Sequence, residues 1–504
     1  MKLFKITFVF YFFVLFMSGC DSNKSAPENS RFSILDYGAV GDGATMNTKA
    51  IQTTIDACAD AGGGRIIIPK GSFLTGTIIL KSNVEIHLKR NATLLGSIHQ
   101  SDYPAQAVPK YRALRDEVGF NSLIYAEGAE NIAITGMGTI DGQGQLQRRL
   151  DDIPEGEKDD RPKVIMFVSC KNLVVEDVHL QNSGFWMQHY LNCEDVRVTG
   201  ISVFNHSNNN NDGIDIDGCR RVIISGCSFD SVDDAITLKS TGMAMCEDVT
   251  ITNCIASSNT NAIKAGTESS GGFKNINISN CIVKPSRYTG KSVYHEDDPG
   301  SGYTAISLII MDGGVIDGIN INNITIEGTH APLYIRLGNR ARKHKADAPE
   351  PKVGSIQNIS ISNLIAHSTG VSTSSIEGMV GYSIKNISFS NIQLLSVGGV
   401  TEGNYVTDIE EDDTRYPEPH YFAKPASGLY LRHVEGITIN GLVVGVEEKD
   451  ERPPIWVEDV SQLLVTNSRI FGPVKLKTFV GGTDLTDYKI EKPLGWKGKL
   501  IKLK

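Results

Sequence analysis

Ten segments of the form Asn-apolar-x-apolar-x-Asn/Gly, with Asp, Arg or Gly sometimes in first place, punctuate this chain. They begin at Asn131, Asn172, Asp195, Arg221, Asp248, Asn275, Gly318, Asn358, Asn386 and Gly436, and the central steps are 23, 26, 27 and 27 residues. A period of roughly 20 to 50 residues marks a solenoid or an array. Within each segment the apolar residues alternate, which is strand periodicity and not helical. A coil of about 25 residues cannot bury its apolar face alone, so coils must stack, about 4.8 Å from one to the next. The coil length and the recurring Asn and Cys positions predict an all-β fold, a single-stranded right-handed parallel β-helix. A propeller is the competing repeat fold, but its blades need about 40 to 50 residues each.

Residues 31–80 read as an N-terminal cap. It comprises a strand at Phe32–Ile34, a Gly-rich turn, a helix from about Asn47 to Ala61, and a strand ending at Pro69. The helix is placed to cover the open first coil, which suppresses edge-to-edge pairing. The β-helix is expected over 31–475, with 284–304 and 399–425 inserted as loops on one face and 476–504 left as a basic tail. One elongated domain results, where length at about 150 residues per domain suggests three.

The first twenty residues stand apart from the fold. Lys2 and Lys5 precede an apolar run, Ile6 to Met17, that is too short to span a bilayer. Met17-Ser18-Gly19-Cys20 resembles a bacterial lipobox, in which Cys20 becomes the lipidated N-terminus. An ordinary secretory signal is the plainer reading, but the polar stretch 21–30 supplies a tether and favours the lipoprotein. The expectation is an exported monomer at the periplasmic side or surface of a bacterial envelope, touching membrane only through that lipid. A net charge of −9 argues against a nucleic-acid partner, which takes a basic stripe. It leaves an anionic substrate open, because local charge decides that.

Beyond Cys20, eight cysteines remain. Cys227, Cys254 and Cys281 are 27 residues apart, and Cys193, Cys219 and Cys246 recur at 26 and 27. Equal steps put one thiol on each coil, so ladders of buried free cysteines are expected, although neighbouring coils are close enough to permit a bridge. Metal-binding C-x-x-C spacing is absent.

Chemistry concentrates in Asn210–Asp217 and Ser231–Lys239. Aligning Ile214 and Ile216 with Ile236 and Leu238 takes an offset of 22 residues, which stacks Asp212 beside Asp234 with Asp233 displaced by one. Asp215 and Asp217 follow as outward-facing residues. Clustered carboxylates repel, so one holds a proton near neutral pH while another stays ionised, giving an acid and a base. Inverting glycosidases keep such a pair about 6.5–9.5 Å apart, with water between. Turn aspartates satisfying backbone amides are the plainer reading for any one of these, but five within 23 residues shift the balance. Calcium, an oxygen-ligand metal, is the other functional reading; the hydrolytic one needs neither metal nor cofactor.

On these residues the chain resembles glycoside hydrolase family 28, the polygalacturonase-type pectin hydrolases, over roughly residues 31–345. Asp36–Gly43 resembles the opening shared by many β-helix carbohydrate enzymes. Asn210–Asp215 with Asp233-Asp234 is the more specific match, and Asn182–His189 is similar to the exo-acting branch. The resemblance implies a pectin-lyase-like solenoid in which Asp233 is the general acid while Asp212 and Asp234 activate water. Two family motifs are not retained. The Gly-His-Gly position falls near Asn259-Thr260-Asn261, and the Arg-Ile-Lys strand that grips a galacturonate carboxylate aligns with Ser307-Leu308-Ile309. A uronate buried without a basic partner is costly, so other side chains must serve.

The coil register offers them. His189, Asp215, Thr237, Lys264, Ser307 and Tyr334 form one outward column, and Asp217, Lys239, Ile309 and Arg336 the next. His189, Asp215, Lys239, Lys264, Tyr334 and Arg336 are therefore candidate substrate-binding residues. Lys264 and Arg336 are placed to meet an acidic sugar, against the plainer reading of a surface ladder of ion pairs worth little each. Trp186 is a candidate stacking platform or a core residue. Arg340–Lys345 is a basic run, usually a solvated face, here also able to steer anionic glycan.

Three functions remain in play: an exported, exo-acting, inverting hydrolase of pectic galacturonate or rhamnogalacturonan; a calcium-dependent polysaccharide lyase; and a non-catalytic surface glycan binder.

Overall fold

The computed structural model describes residues 30–106, 121–155, 157, 159–288, 302–414, 423–473 and 477–503. The lipobox with Cys20 and the tether up to residue 29 lie outside the described residues, as does most of the 284–304 insertion. Each strand pairs in parallel with its counterpart one coil away, so three ladders of strands run the length of the chain. The coils wind right-handed, as crossovers between parallel strands nearly always do.

The repeated segments form the ladder that carries the fold's most regular packing. Leu173, Val196, Val222, Val249 and Ile276 sit on consecutive rungs, and all are buried. The residues between them face solvent, which is why the sequence alternates. Asn131, Asn172, Asn275, Asn358 and Asn386 take left-handed backbone conformations at the coil corner, which Asn tolerates better than other side chains. Their amides bond along the axis, as from Asn172 to Asn131 at 2.7 Å and Asn131 to Asn83 at 2.8 Å.

The cap forms as the sequence predicts. The helix spans Thr48–Asp60, with Ile51, Thr54, Ile55 and Cys58 buried on one face at helical spacing. The eight described cysteines are free and buried, and the Cys193 amide donates to Cys219 Sγ at 3.2 Å on the next coil. The seven thiols on the coils therefore fill the lumen, and Cys58 packs beneath the cap helix.

The C-terminal end differs from the expected tail. Thr478–Gly482, Leu485–Ile490 and Lys499–Leu503 are strands that continue the ladders, Ile455 pairing Val480, Val460 pairing Leu485 and Thr478 pairing Lys499. Lysines on the outer face mask a weak apolar alternation in this stretch.

Candidate active site

One ladder carries the chemistry: Lys163–Val168, Gln188–Leu191, Ile214–Asp217, Ile236–Ser240, Asn261–Ser269, Thr304–Ile310 and Ala331–Leu337. Its rungs pair His189 with Asp215, Asp215 with Thr237, Thr237 with Lys264, Lys264 with Ser307 and Ser307 with Tyr334. Asp217 stands beside Lys239, and Ile309 beside Arg336. Both columns expected from the repeat are thus present. Asp215 and Asp217, expected to face outward, are nonetheless fully buried, because neighbouring side chains cover this face of the sheet.

Asp212 precedes one strand and Asp233-Asp234 the next. The Gly213 amide donates to the Asp234 carbonyl at 2.9 Å, fixing the 22-residue register. A Cβ at Gly213 would lie 2.5 Å from the Ala235 carbonyl oxygen, so glycine is what lets the coils approach here. One carboxylate oxygen each of Asp212, Asp233 and Asp234 lies within 4.8 Å of the others. The 22-residue offset puts Asp212 and Asp234 on directly adjacent rungs rather than across a groove. Asp212 and Asp234 are buried and Asp233 is half-buried, so Asp233 is the member turned toward solvent.

Thr260 and Asn261, where the resemblance expects histidine, hold the pair. The Thr260 hydroxyl lies 3.1 Å from Asp233 Oδ1 and 2.9 Å from Asp234 Oδ1, and Asn261 Nδ2 donates to Asp234 Oδ1 at 2.8 Å. Lys264 Nζ sits 2.7 Å from Asp234 Oδ2. Burial works against ionising Asp234, but Lys264 and Lys239 outweigh it and bring its carboxyl below the ordinary value. Asp212 goes the other way. Burial, with the charges of Asp215 and Asp233, pushes its carboxyl well above the usual range despite Lys239. The two shifts run in opposite directions, biasing Asp234 toward the ionised form and Asp212 toward the protonated one, the kind of split that acid–base chemistry requires.

Lys239 is the hub beneath them. Its Nζ lies 3.3 Å from Asp215 Oδ1, 3.8 Å from Asp212 Oδ2 and 3.6 Å from Glu268 Oε2. Burial opposes its charge, yet the carboxylates of Asp215, Glu268 and Asp212 hold the ammonium on. Burial pushes Asp215 up to about 7, against the pull of Lys239 and Lys163. Lys163 Nζ is 2.9 Å from His189 Nδ1, and His189 Nε2 is 3.3 Å from Asp217 Oδ2. Burial, with the Lys163 and Lys239 charges, holds His189 well below its ordinary value, so it is neutral. With Lys163 donating to Nδ1, the assigned tautomer carries its proton on Nε2. Trp186 is half-buried, stacked on Phe185 at 5.0 Å, with Lys163 and Lys239 over its ring at 4.5 and 4.6 Å.

Other expected residues take different places. Arg336 is buried and donates to the carbonyls of Gly378 and Asp412 at 3.1 and 2.7 Å, tying down the loop through Asp412 instead of standing open to a sugar. Tyr334 packs with Ile309 and Met311. Lys264 is no surface ion pair, since it faces Asp234. The basic run is not simply a solvated face: Arg340 and Arg342 reach Asp312 and Glu268, while Lys343 pairs with Glu350 at 2.8 Å. Lys163, Glu268 and Asp312 escaped the sequence reading. Glu268 arrives through a bulge in which Gly266, Thr267 and Glu268 oppose Lys239 alone, and bulges re-aim side chains near active sites. Only the glycine hinted at it.

Three carboxylates within reach of one another also form a candidate metal site. Lys264 against Asp234 and Lys239 near Asp212 already place two ammonium groups at this cluster, so the donor set does not fit a divalent cation, which would meet their repulsion.

The fold and site define a right-handed parallel β-helix with a lysine-compensated aspartate cluster on one ladder. The model of the glycosyl hydrolases family 28 matches residues 58–413, and the chain belongs to that family. A probable polygalacturonase of Vitis vinifera is 34% identical over 217 residues, 41% of this chain and 44% of that protein. The exo-poly-alpha-D-galacturonosidase of Dickeya chrysanthemi is 31% identical over 251 residues, 40% of this chain and 41% of that protein. The chain thus spans less than half the length of these curated relatives. The family 28 exopolygalacturonase of Yersinia enterocolitica shares the fold with a TM-score of 0.62 at 18% identity, covering 92% of this chain and 78% of that one.

Proposed function

We propose that this protein is an exo-acting hydrolase of α-linked pectic glycan, of galacturonate or rhamnogalacturonan type, working by inversion. The observation that carries the reading is the Asp212–Asp233–Asp234 cluster, in which one carboxyl is driven toward the acid and another toward the ionised form. Asp233, the solvent-facing member, donates its proton to the glycosidic oxygen. Asp212 and Asp234 hold the attacking water and take up its proton, so the leaving sugar gains one proton and the cluster regains one. Asp212 is where burial favours the proton before substrate binds. The roles therefore require it to pass to Asp233 as the glycosidic oxygen arrives, between oxygens within 4.8 Å. A shared proton in such a group belongs to the cluster, not to one residue.

The exo mode is supported by the loop that includes Asp412 and Asp413. Asp412 accepts from Arg336, Asp413 from the Asn339 amide at 2.6 Å, and Ile409 from Arg432 at 2.6 Å. These bonds pin that part of the loop beside Arg336 and Arg432, C-terminal to the aspartate cluster. Export and lipidation at Cys20 are proposed from the N-terminal sequence alone.

Asp233→Asn tests the acid: turnover of a pectic oligosaccharide should fall by about 10²–10⁴-fold, and preserved turnover refutes the assignment. Proton NMR of the first product should show the β anomer; an initial α anomer refutes inversion. An ultraviolet-absorbing unsaturated product would establish the lyase instead. Cys20→Ala should move the protein from the membrane to the soluble fraction, and unchanged partitioning removes the lipoprotein.

A further inference from the structure

The loop after Ala331–Leu337 is built more rigidly than a connection needs. The Gly338 amide donates to the Ile310 carbonyl at 2.8 Å and the Ala341 amide to Met311 at 2.9 Å. Ala341 adopts φ 51°, a left-handed conformation a non-glycine residue rarely takes. That turn sends Arg340 and Arg342 to the same side. Arg340 grips Asp312 through two nitrogens and Thr267 through its carbonyl at 3.2 Å. The Arg342 amide also donates to Asp312, at 3.1 Å. Asp312 is thus a buried anchor for both arginines.

Their charges converge on Glu268. Arg340 lies 3.9 Å and Arg342 3.7 Å from Glu268 Oε1, while Lys239 lies 3.6 Å from Oε2. One carboxylate faces three cations. The two arginines differ in access: the Arg340 side chain is 9% exposed and that of Arg342 is 34% exposed. Through Glu268 and Lys239, Arg342 stands three ion-pair steps from Asp212, on the C-terminal flank of the cluster.

We propose that Arg342, held in place by Arg340 and Asp312, is a specificity-determining residue that takes the carboxylate of an acidic sugar lying on the C-terminal side of the bond to be cleaved. A planar guanidinium matches a carboxylate in two-point geometry. An anionic glycan brought beside a cluster of aspartates is repelled unless such a cation receives it. The inference rests on the proposed pectic substrate, and it adds which residue reads that substrate's charge.

Calorimetric titration of the Asp233→Asn protein with tri-α-galacturonate and its fully methyl-esterified form tests it. Adding Arg342→Gln should weaken the free acid by about 10-fold or more, equivalent to about 1.4 kcal/mol, and leave the ester within about 2-fold. Arg342→Lys should recover part of the loss, which a merely misfolded loop would not allow. Equal weakening of both ligands, or no weakening of the acid, overturns the proposal. Absence of acid binding to the Asp233→Asn protein also overturns it. The hydrolase reading then stands or falls separately, on sugar release from other pectic fragments by the unaltered protein.

Discussion

Replacing Lys264 by Met isolates the cation that keeps Asp234 ionised. Nζ lies 2.7 Å from Oδ2, with the two side chains 12% and 4% exposed, so solvent screens this pair little. Breaking a buried pair from one side costs about 3–5 kcal/mol. Asp234 keeps its bonds from Thr260 and Asn261, so the lower end, about 3 kcal/mol, applies. At 1.36 kcal/mol per pKa unit this corresponds to a rise of about two units, within the range an adjacent opposite charge controls. The acid limb of kcat/KM, followed by reducing-sugar release between pH 3 and 9, should move upward by about that amount. Activity at pH 5 should fall by up to about 7-fold and recover toward pH 8. Stability changes its pH dependence as well. In the unaltered protein the depressed Asp234 stabilises above its unfolded value, and this is lost as pH falls through the folded one. In the variant the folded value lies above the unfolded one, so the sign reverses and stability is lost as pH rises through it. A rate reduced by one factor at every pH, with the limb unmoved, would show that Lys264 does not act through Asp234.

Thr260→Val removes the hydroxyl shared by Asp233 and Asp234 and should lower kcat about 10-fold with little change in melting temperature, read from steady-state kinetics and thermal denaturation. Asp215, pushed up to about 7 by burial, contributes stability that is present below its unfolded value and lost as pH rises through 7. Asp215→Asn should therefore flatten the decline in melting temperature between pH 4 and 7, and an unchanged slope refutes this. The eight described thiols are buried, so a thiol reagent should leave them unmodified in the native protein and react with all of them in denaturant; reaction before unfolding would contradict the lumen packing.

Much of the site was legible in the sequence because the repeat converts numbering into space. With one coil per step and side chains alternating in and out, an offset of 22 residues suffices to put Asp212 against Asp234 and Asp215 against Thr237. The same rule places Lys264 next to Thr237. The rule fails where the chain leaves the ladder. Glu268 reaches Lys239 only through the bulge at Gly266, whose φ of +106° and whose Cβ position 2.2 Å from the Ile309 carbonyl oxygen exclude other residues. Arg340 and Arg342 turn inward because Asp312, a residue with no motif around it, waits behind them. Arg336 was correctly placed on its rung, but the loop through Asp412 covers it, and loop packing has no period to read.

The sequence by itself determined the coil, the axis and the column on which the ladder's aspartates, Lys239 and Lys264 stand, since burying alternate side chains in a stacked solenoid admits one register. Only the tertiary structure decided which neighbours compensate which charges. It moved Asp215 and Asp217 out of solvent, set Lys264 on Asp234, and drew the arginine loop to Glu268. Those outcomes depend on the energy of burying charge, which is set by everything packed within a few ångströms and not by the order of residues along one strand.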